Sequence, residues 1–378
     1  MTKQWHWIAT ALGVFGCCLA AESAWPAAAK SPIAIGLIEP YSGQEAAYGE
    51  WVDDAWKLAM KNYGDTIDGH PIELVRGDSK CEPAVAVSAA RQVFARQPAV
   101  LMAPVCSADT LAILPTIRAL QIPTLSDNIA PKVTEEGGGW IWRVQITDSV
   151  MTPPEAEYII SQGCKRIGVI HDTTAPGQAN SKDMIDSLTA GGHAPVAVAS
   201  YALSDTDYSG PLLKLKAANL DCLFISAYDA QGGRLIRQAK QLGFTMPMYG
   251  NFSMFDEIFI KTAGPAGDGL VGVTSYLPDW SDASKKFDQQ WVEQFHYGTH
   301  TDVAALYEMA VATIVALRKA PEARGKALNS IIAHTEIPNL PMGRLTFDST
   351  GNNATPLVLL VTWKDQKLHL VKVLRGEK

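Results

Sequence analysis

The chain has 378 residues and a formal net charge of −7, with 47% hydrophobic and 19% charged residues. This length is typical of two domains, and the composition is that of a globular protein. The negative charge, without any basic stripe, argues against a nucleic-acid partner and against binding to a membrane surface.

The N-terminal segment has the pattern of a secretory signal peptide. Lys3 precedes the apolar run IATALGVFGCCLA, and small residues follow up to an A-x-A cleavage site at Ala27–Ala29. We therefore expect residues 1–29 to be removed and the mature protein to lie in the periplasm. An uncleaved anchor and lipidation of Cys17 remain as alternatives.

The segment that follows predicts alternating strands and helices. Buried strands are expected at 33–38, 71–78, 99–104 and 122–127, and helices at 52–64, 82–97 and 107–121. Strands that alternate with helices over short connections indicate a parallel sheet covered by helices.

A second series of the same kind follows. Helices are expected at 151–163, 177–192, 209–220 and 233–243, and strands at 165–172, 194–202, 221–229 and 246–250. The chain is then mostly helical from 283 to 334 and ends in a β-hairpin formed by 356–365 and 367–374. The predicted fold class is α/β, with two doubly wound lobes around parallel central sheets.

Catalytic motifs are weak in this sequence. It has no G-x-x-x-x-G-K-[ST], no G-x-S-x-G and no H-E-x-x-H, and its glycine-rich stretches lack dinucleotide-binding spacing. His171 and Asp172 end a predicted strand, where capping of the next helix is the simpler interpretation. We predict that the protein is not an enzyme and has no cofactor, with an enzyme of unrecognised type as the alternative.

Four cysteines remain after the signal segment, namely Cys81, Cys106, Cys164 and Cys222. An even number of cysteines in an exported chain favours disulfides. Zinc is the competing interpretation, but the sequence has no C-x-x-C and no tight Cys/His cluster, so no metal site is predicted.

Seven motifs together resemble one known family. They are IAIGLIEPYSGQEAAYGE, DSKCEPAVAVSAARQV, PVCSADTLAILPTI, IAPKVTE, WRVQITDS, RIGVIHD and GGRLIRQAKQLGF, and with their spacing they cover roughly residues 32–370. The chain is similar to the leucine/isoleucine/valine-binding family of periplasmic solute-binding proteins, which have the type I periplasmic-binding fold and serve ABC importers.

The resemblance implies two lobes joined by three crossovers, with a small-molecule ligand in the cleft between them. The first lobe is expected to comprise 30–145 and 277–343, and the second 146–276 and 344–378. An ABC permease in the inner membrane is the implied partner. A stand-alone ligand sensor that reports to a signalling partner is the alternative function.

The resemblance also implies specific residues in the first lobe. It pairs Cys81 with Cys106 in a disulfide and makes Ser107, as a helix N-cap, the contact for a ligand carboxylate. The local physics agrees, because a helix N-terminus offers a hydroxyl, unpaired N–H groups and the positive end of the dipole. Tyr48 and Tyr228 match aromatic residues that line the cleft. The alternatives are that both tyrosines are surface-loop aromatics and that Ser107 only caps its helix.

The sequence departs from the family pattern where amino-acid binders hold their ligand. The segment Asp127–Asn128–Ile129 replaces a threonine-containing stretch, with Ile129 at the threonine position, and Pro176 replaces a tyrosine. Phe252 falls near the expected glutamate partner of the ligand ammonium. Asp127 could substitute for that glutamate, and we keep Asp127, Asn128 and Phe252 as candidate ligand contacts.

Two ligand hypotheses follow from these departures. One is an aliphatic amino acid, as the family implies. The other, slightly favoured, is an aromatic or otherwise non-amino carboxylate held by Ser107 and stacked on aromatic rings.

The cysteines of the second series are expected to pair for a geometric reason. Cys164 and Cys222 precede the first and third strands of that series, which are neighbours in a sheet of order 2-1-3. Counting back seven residues from His171 and from Asp229 places both cysteines level. Because neighbouring strands lie about 4.8 Å apart, we predict a Cys164–Cys222 disulfide, with two buried thiols as the alternative.

Overall fold

The computed structural model describes residues 1–2, 30–43 and 45–376. The predicted signal peptide therefore lies almost entirely outside the described residues. The strands are β1 (Ile33–Glu39), β2 (Thr66–Ile67), β3 (His70–Asp78), β4 (Val100–Met102), β5 (Thr124–Ser126), β6 (Ile141–Arg143), β7 (Ile167–Asp172), β8 (Ala197–Tyr201), β9 (Cys222–Ser226), β10 (Met248–Gly250), β11 (Val271–Thr274), β12 (Ile337–Leu340), β13 (Gly343–Leu345), β14 (Val358–Lys364) and β15 (Lys367–Arg375).

Helices connect most of these strands, as the alternating pattern predicted. The α-helices are α1 (Ala47–Tyr63), α2 (Pro83–Phe94), α3 (Ser107–Leu120), α4 (Lys132–Glu135), α5 (Asp148–Ser161), α6 (Ala175–Ala190), α7 (Ser209–Lys216), α8 (Asp229–Gln241), α9 (Glu257–Ala263), α10 (Asp282–Phe295), α11 (Thr301–Lys319) and α12 (Gly325–Ala333). None of the described helices combines the length and the apolar character needed to cross a bilayer.

The first lobe is built on a six-stranded sheet of order β2-β3-β1-β4-β5-β6. All of its pairings are parallel except that of β2 with β3. One face packs against α1, α10, α11 and α12, and the other against α2, α3 and α4. Helices on both faces explain why its central strands are almost uninterrupted apolar runs.

The second lobe is built on a seven-stranded sheet of order β15-β14-β11-β10-β9-β7-β8. Strands β7 to β11 run parallel, and the hairpin β14–β15 adds two antiparallel strands at one edge. Helices α7, α8 and α9 cover one face, and α5 and α6 cover the other. The predicted α/β fold class with two doubly wound lobes is therefore confirmed.

The chain passes between the lobes three times: after β6, after β11 and after β13. The crossover segments are joined, since the Ser275 hydroxyl donates to Gln145 Oε1 at 3.1 Å. The exact domain boundaries stay a prediction. Leu277 packs with the second lobe and Leu345 with the first, which would move two boundaries by a few residues.

The C-terminal hairpin shows how the local sequence sets its turn. Lys364 pairs with Lys367, so the loop contains only Asp365 and Gln366. Both have positive φ, 51° and 58°, as a type I′ hairpin turn requires.

Both predicted disulfides are present, with Cα–Cα distances of 5.5 Å for Cys81–Cys106 and 5.8 Å for Cys164–Cys222. The reason given for the second was wrong in one respect. Cys222 lies opposite Ile167 in the parallel register, three residues beyond the expected partner. Cys164 instead lies in the segment before β7, which bends back because the Asp221 carboxylate accepts the backbone N–H groups of Lys165 and Arg166.

Candidate functional site

The candidate site begins at the carboxyl edge of the first sheet. Glu39 is the last residue of β1, Ser107 follows β4, and Asp127 directly follows β5. Strands β1, β4 and β5 are neighbours and parallel, so these residues meet at one edge. Ligands of open α/β sheets bind outside this edge.

Ser107 is the first residue of α3, and Cys106 occupies the N-cap position. This corrects the prediction that Ser107 caps the helix. The helical hydrogen bonds start one residue earlier, because the Cys106 carbonyl accepts from the N–H groups of Asp109 and Thr110. Ser107 still lies within the first turn, where helix N–H groups lack intrahelical partners.

The loop before Ser107 is held from three sides. The Val105 N–H donates to Glu39 Oε2 at 3.0 Å. Asn128 Nδ2 donates to the carbonyls of Pro104 and Val105, each at 2.7 Å. With the Cys106 disulfide, these contacts fix where α3 begins. Both amide hydrogens of Asn128 are thereby used, which makes it a positioning residue in this conformation.

Two buried carboxyl groups lie beside this loop. Glu39 is completely buried, and that burial, followed by the charge of Asp127, raises its pKa well above the usual value. Asp127 is 5% exposed, and its Oδ1 has no hydrogen-bond partner among the described residues. Burial and then the charge of Asp302 raise the pKa of Asp127 to about 7.

Helix α1 and the start of α11 also border this edge of the first sheet. The charge of Asp302, followed by burial and the charge of Asp127, raises the pKa of Tyr48. The Tyr48 ring lies 4.7 Å from the Trp51 ring, which in turn lies 4.4 Å from the His300 ring. The structure thus brings Tyr48 and Asp127 together, and adds Asp302, Trp51 and His300, which sequence reasoning missed.

His300 lies between charged groups of both lobes. Its Nδ1 is 3.4 Å from Asp302 Oδ2. In the second lobe, burial raises the pKa of Asp256, Asp229 raises it further, and His300 lowers it. The two lobes therefore approach each other at the N-terminus of α11.

The carboxyl edge of the second sheet carries the other candidates. Tyr228 follows β9 as the N-cap of α8 and is 39% exposed. Phe252 follows the neighbouring strand β10, is half-buried and packs against a small apolar cluster that includes Ile146 and Val273. Tyr228 and Phe252 thus share one edge, opposite the group from the first lobe.

The polar groups of this second edge are largely satisfied. Asn251 Oδ1 accepts from the Ala227 N–H at 3.1 Å. Asp172 Oδ1 accepts from the Thr174 N–H at 2.8 Å and from its hydroxyl, and Thr174 Oγ1 accepts from the Gly177 N–H. This supports the interpretation of Asp172 as part of a helix cap.

Within the part of the chain that the structure describes, one cluster has metal-ligating residue types, namely Cys164, Cys222 and Asp221. Its cysteines form a disulfide and its carboxylate accepts backbone N–H groups, so no thiolate or unpaired carboxylate is available to a metal.

A family model described as "Periplasmic binding protein" matches residues 32–367. The chain belongs to this family. The Leu/Ile/Val-binding protein BraC3 of Rhizobium johnstonii is 25% identical over 363 residues, which cover 93% of this chain and 96% of that protein. The resemblance to the leucine/isoleucine/valine-binding family is therefore confirmed.

Solved structures of other periplasmic binding proteins share the fold. A leucine-binding protein from Thermotoga maritima matches with a TM-score of 0.79 and 25% identity, over 91% of this chain and 99% of that one. A solute-binding protein from Rhodopseudomonas palustris in complex with 3,4-dihydroxybenzoic acid matches with a TM-score of 0.80 and 22% identity, over 92% and 98%.

Three residues of the candidate site in this periplasmic binding protein, Glu39, Asp302 and His300, were not predicted from the sequence, and they differ in how visible they were there. Glu39 was visible, since a carboxyl group directly after a buried apolar strand is unusual and points to the ligand edge. His300 is the N-cap of α11 and Asp302 lies in its first turn, and only the three-dimensional fold brings them towards Asp127. Ligand contact by Tyr48, Ser107, Asp127, Asn128, Tyr228 and Phe252 stays a prediction.

Proposed function

We propose that this protein is the exported receptor of an ABC importer of the branched-chain amino-acid type. It binds a small ligand between its lobes in the periplasm, and the closed form docks on a permease in the inner membrane. The signal-peptide pattern and the family membership support this location and partner. Binding requires closure of the cleft and no chemistry on the ligand.

The braced N-terminus of α3 is the observation that carries the proposal. Three independent contacts hold the loop before Ser107 at the carboxyl edge of the sheet. A helix N-terminus that is fixed in this way is suited to binding a ligand carboxylate through Ser107 and the first N–H groups of the helix. Tyr48, Tyr228 and Phe252 provide apolar surface for the remainder of the ligand.

The ligand is either an aliphatic amino acid or an aromatic acid. Relatives of this chain are named for binding leucine, isoleucine and valine. A protein of the same fold holds 3,4-dihydroxybenzoic acid, which shows that the fold also accommodates aromatic acids. The replacement of the family glutamate by Phe252 leaves the second lobe without the usual partner for an ammonium group.

A thermal-shift screen of the mature protein tests the proposal. The panel contains amino acids, aromatic acids and amides. A ligand at about 100 times its Kd should stabilise the protein by roughly 2.7 kcal/mol. The proposal fails if no compound of the panel raises the melting temperature.

A further inference from the structure

The turn between β12 and β13, Pro341–Met342, is held by both lobes. The Met342 N–H donates to Glu308 Oε1 at 2.5 Å, and Glu308 lies in the middle of α11 in the first lobe. The Pro341 carbonyl accepts from Trp280 Nε1 at 2.7 Å, and Trp280 packs in the buried apolar cluster of the second lobe. Two neighbouring residues of one turn therefore connect the lobes.

The same turn contacts the other crossovers. Met342 Sδ lies 3.9 Å from the Ser275 hydroxyl in the second crossover. That hydroxyl donates to Gln145 Oε1 in the first crossover at 3.1 Å, and Gln145 Oε1 also accepts from the Ile146 N–H at 3.0 Å. The third crossover begins at the end of β13, directly after this turn. A continuous set of contacts therefore runs from Glu308 to all three crossovers.

Glu308 places a carboxyl group in an apolar environment. It is 2% exposed, and the buried residues of α11 on either side of it are mostly apolar. Burial raises the pKa of Glu308 to about 8, although the hydrogen bond from Met342 lowers it. The carboxyl is therefore mainly neutral at pH 7, and its ionisation places an unpaired charge in the core.

No charged side chain among the described residues forms an ion pair with Glu308. The titratable groups that respond to its charge are tyrosines of α1, of α11 and of the segment after β11, namely Tyr63, Tyr307 and Tyr276. Burial raises the pKa of each, and Glu308 raises it further, so all three stay neutral up to pH 9.

The remaining elements that pack against α11 leave Glu308 as the group that titrates here. Asp288 of α10 raises the pKa of Tyr276 and does not shift that of Glu308. The charged side chains of α12 and β13, Lys326 and Arg344, are exposed. The proton on Glu308 therefore determines the charge beside the Pro341–Met342 turn.

We propose that Glu308 is a proton-controlled latch of the hinge: the neutral carboxyl fixes the Pro341–Met342 turn, and its ionisation loosens all three crossovers. An ionised carboxylate favours any arrangement in which water reaches it. Because the Met342 backbone lies against the carboxyl, the turn must move for the charge to be hydrated, and its contacts to Trp280 and Ser275 then break. A receptor that closes on a ligand changes its lobe angle at such crossovers, so this proton controls how freely the lobes move.

Hydrogen exchange of the ligand-free mature protein at pH 6 and at pH 9 tests the latch. The exchange rates are corrected for the intrinsic pH dependence of amide exchange. The hinge segments are those that contain Gln145–Ile146, Ser275–Tyr276 and Met342. Segments from β1 and β9, inside the two sheets, report the opening of the lobes themselves. The proteins compared are the wild type, Glu308→Gln and Glu155→Gln.

Glu155→Gln is the matched control. Glu155 lies on α5 in the second lobe and is 1% exposed, and burial raises its pKa well above the usual value. Its Oε1 has no hydrogen-bond partner among the described residues. It therefore shares the burial and the titration of Glu308 without the contact to the turn.

In the wild type, the hinge segments should be less protected than β1 and β9 at both pH values, because they open without unfolding of the lobes. Their protection should fall by about 10- to 100-fold from pH 6 to pH 9, since the loosened hinge restores an ordinary glutamate pKa of about 4.3. Glu308→Gln should show the same hinge protection at both pH values, and Glu155→Gln should keep the fall.

A second variant tests the turn from the other lobe. Trp280→Phe removes the donor to the Pro341 carbonyl and leaves Glu308 in place. Its hinge segments should be less protected than those of the wild type at pH 6, and their protection should still fall at pH 9. Hinge protection equal to that of the wild type at pH 6 would contradict a turn held from both lobes.

The other outcomes also decide the matter. Hinge protection that is the same at pH 6 and pH 9 in the wild type overturns the latch, and so does hinge protection equal to that of β1 and β9. A fall that persists in Glu308→Gln, or that disappears in Glu155→Gln, overturns it as well. Because no ligand is used, failure of the latch leaves the proposed function standing, and the thermal-shift screen tests that function separately.

Discussion

The two edges that face the cleft are built differently. At the first-lobe edge, one oxygen of Asp127 has no hydrogen-bond partner among the residues that the structure describes, and burial together with neighbouring charges raises the pKa of Glu39. At the second-lobe edge, Asp172 and Asn251 have partners within their own lobe, and the candidates are the aromatic residues Tyr228 and Phe252.

This difference indicates a division of labour. Unpaired buried polar groups destabilise the empty protein, so they are retained where a ligand satisfies them. We therefore propose that the first lobe supplies polar recognition and that the second lobe supplies apolar surface and closure. The following predictions separate the contributions of the two lobes.

The disulfides should give the largest effects and should separate stability from binding. Replacing Cys164 and Cys222 by serine should lower the free energy of unfolding by about 4 kcal/mol, and replacing Cys81 and Cys106 by about 3.5 kcal/mol, since the chain separations are 58 and 25 residues. Denaturant unfolding of the mature protein measures both.

Only the first-lobe pair should change affinity, because Cys106 immediately precedes Ser107 while Cys164 lies at the opposite end of its sheet. Calorimetry with a ligand from the screen compares the two variants. Equal loss of affinity in both would contradict a special role for the loop before α3.

Glu308 should make the protein less stable at alkaline pH. It is buried on α11, accepts the Met342 N–H at 2.5 Å, and burial raises its pKa to about 8. A carboxyl whose folded pKa is raised binds its proton more tightly when folded, so stability is lost as pH rises from about 4 to about 8.

Glu308→Gln keeps an acceptor for Met342 and removes the titration. The variant should gain up to roughly 4 kcal/mol relative to the wild type between pH 5 and pH 9. Urea unfolding of both proteins at pH 5 and at pH 9 gives the difference in free energy of unfolding between the variant and the wild type. If this difference is the same at the two pH values, Glu308 does not cause the pH dependence.

Ser107→Ala should weaken ligand binding by about 1–2 kcal/mol, typical of a hydrogen bond to a charged group. The matched control is Ser281→Ala, which removes the capping box of α10. The control should lower stability by about 1 kcal/mol without a change in affinity. If Ser107→Ala behaves like this control, Ser107 serves only its helix.

Tyr228→Ala should have the smallest effect and should act on affinity alone. Tyr228 is 39% exposed in this conformation, so its loss should change stability by less than about 0.5 kcal/mol. Burial of the ring on closure should make the affinity loss about 1 kcal/mol. Ile258→Ala, at 53% exposure in the same lobe, should change neither quantity in the same assays.

The fold was accessible from the sequence because its signals are local. Apolar runs and helical spacing predicted the order of strands and helices, and alternation with a turn at Lys364–Asp365–Gln366 predicted the terminal hairpin. Strands β6 and β11 were missed, although the equally short β4, β5 and β10 were predicted from the apolar runs at 99–104, 122–127 and 246–250. The Cys164–Cys222 pairing was predicted correctly from a register that is wrong by three residues.

Only part of the candidate site could be predicted from the sequence. Ser107 and Asp127 follow predicted strands and could be placed at one edge. The approach of Asp302 to Asp127 joins residues 175 positions apart, which no local pattern encodes. The role of Asn128 was also hidden, because hydrogen bonds to two backbone carbonyls have no sequence signature.

Hydrogen exchange with and without a compound that stabilises the protein tests the central claim most directly. If the ligand is held between the lobes, protection should increase together in the segments around Ser107 and Asp127 in the first lobe and around Tyr228 and Phe252 in the second. The hairpin β14–β15 should exchange at an unchanged rate. Protection confined to one lobe, or absent from the segments around Ser107 and Asp127, would contradict a receptor that binds its ligand in this cleft.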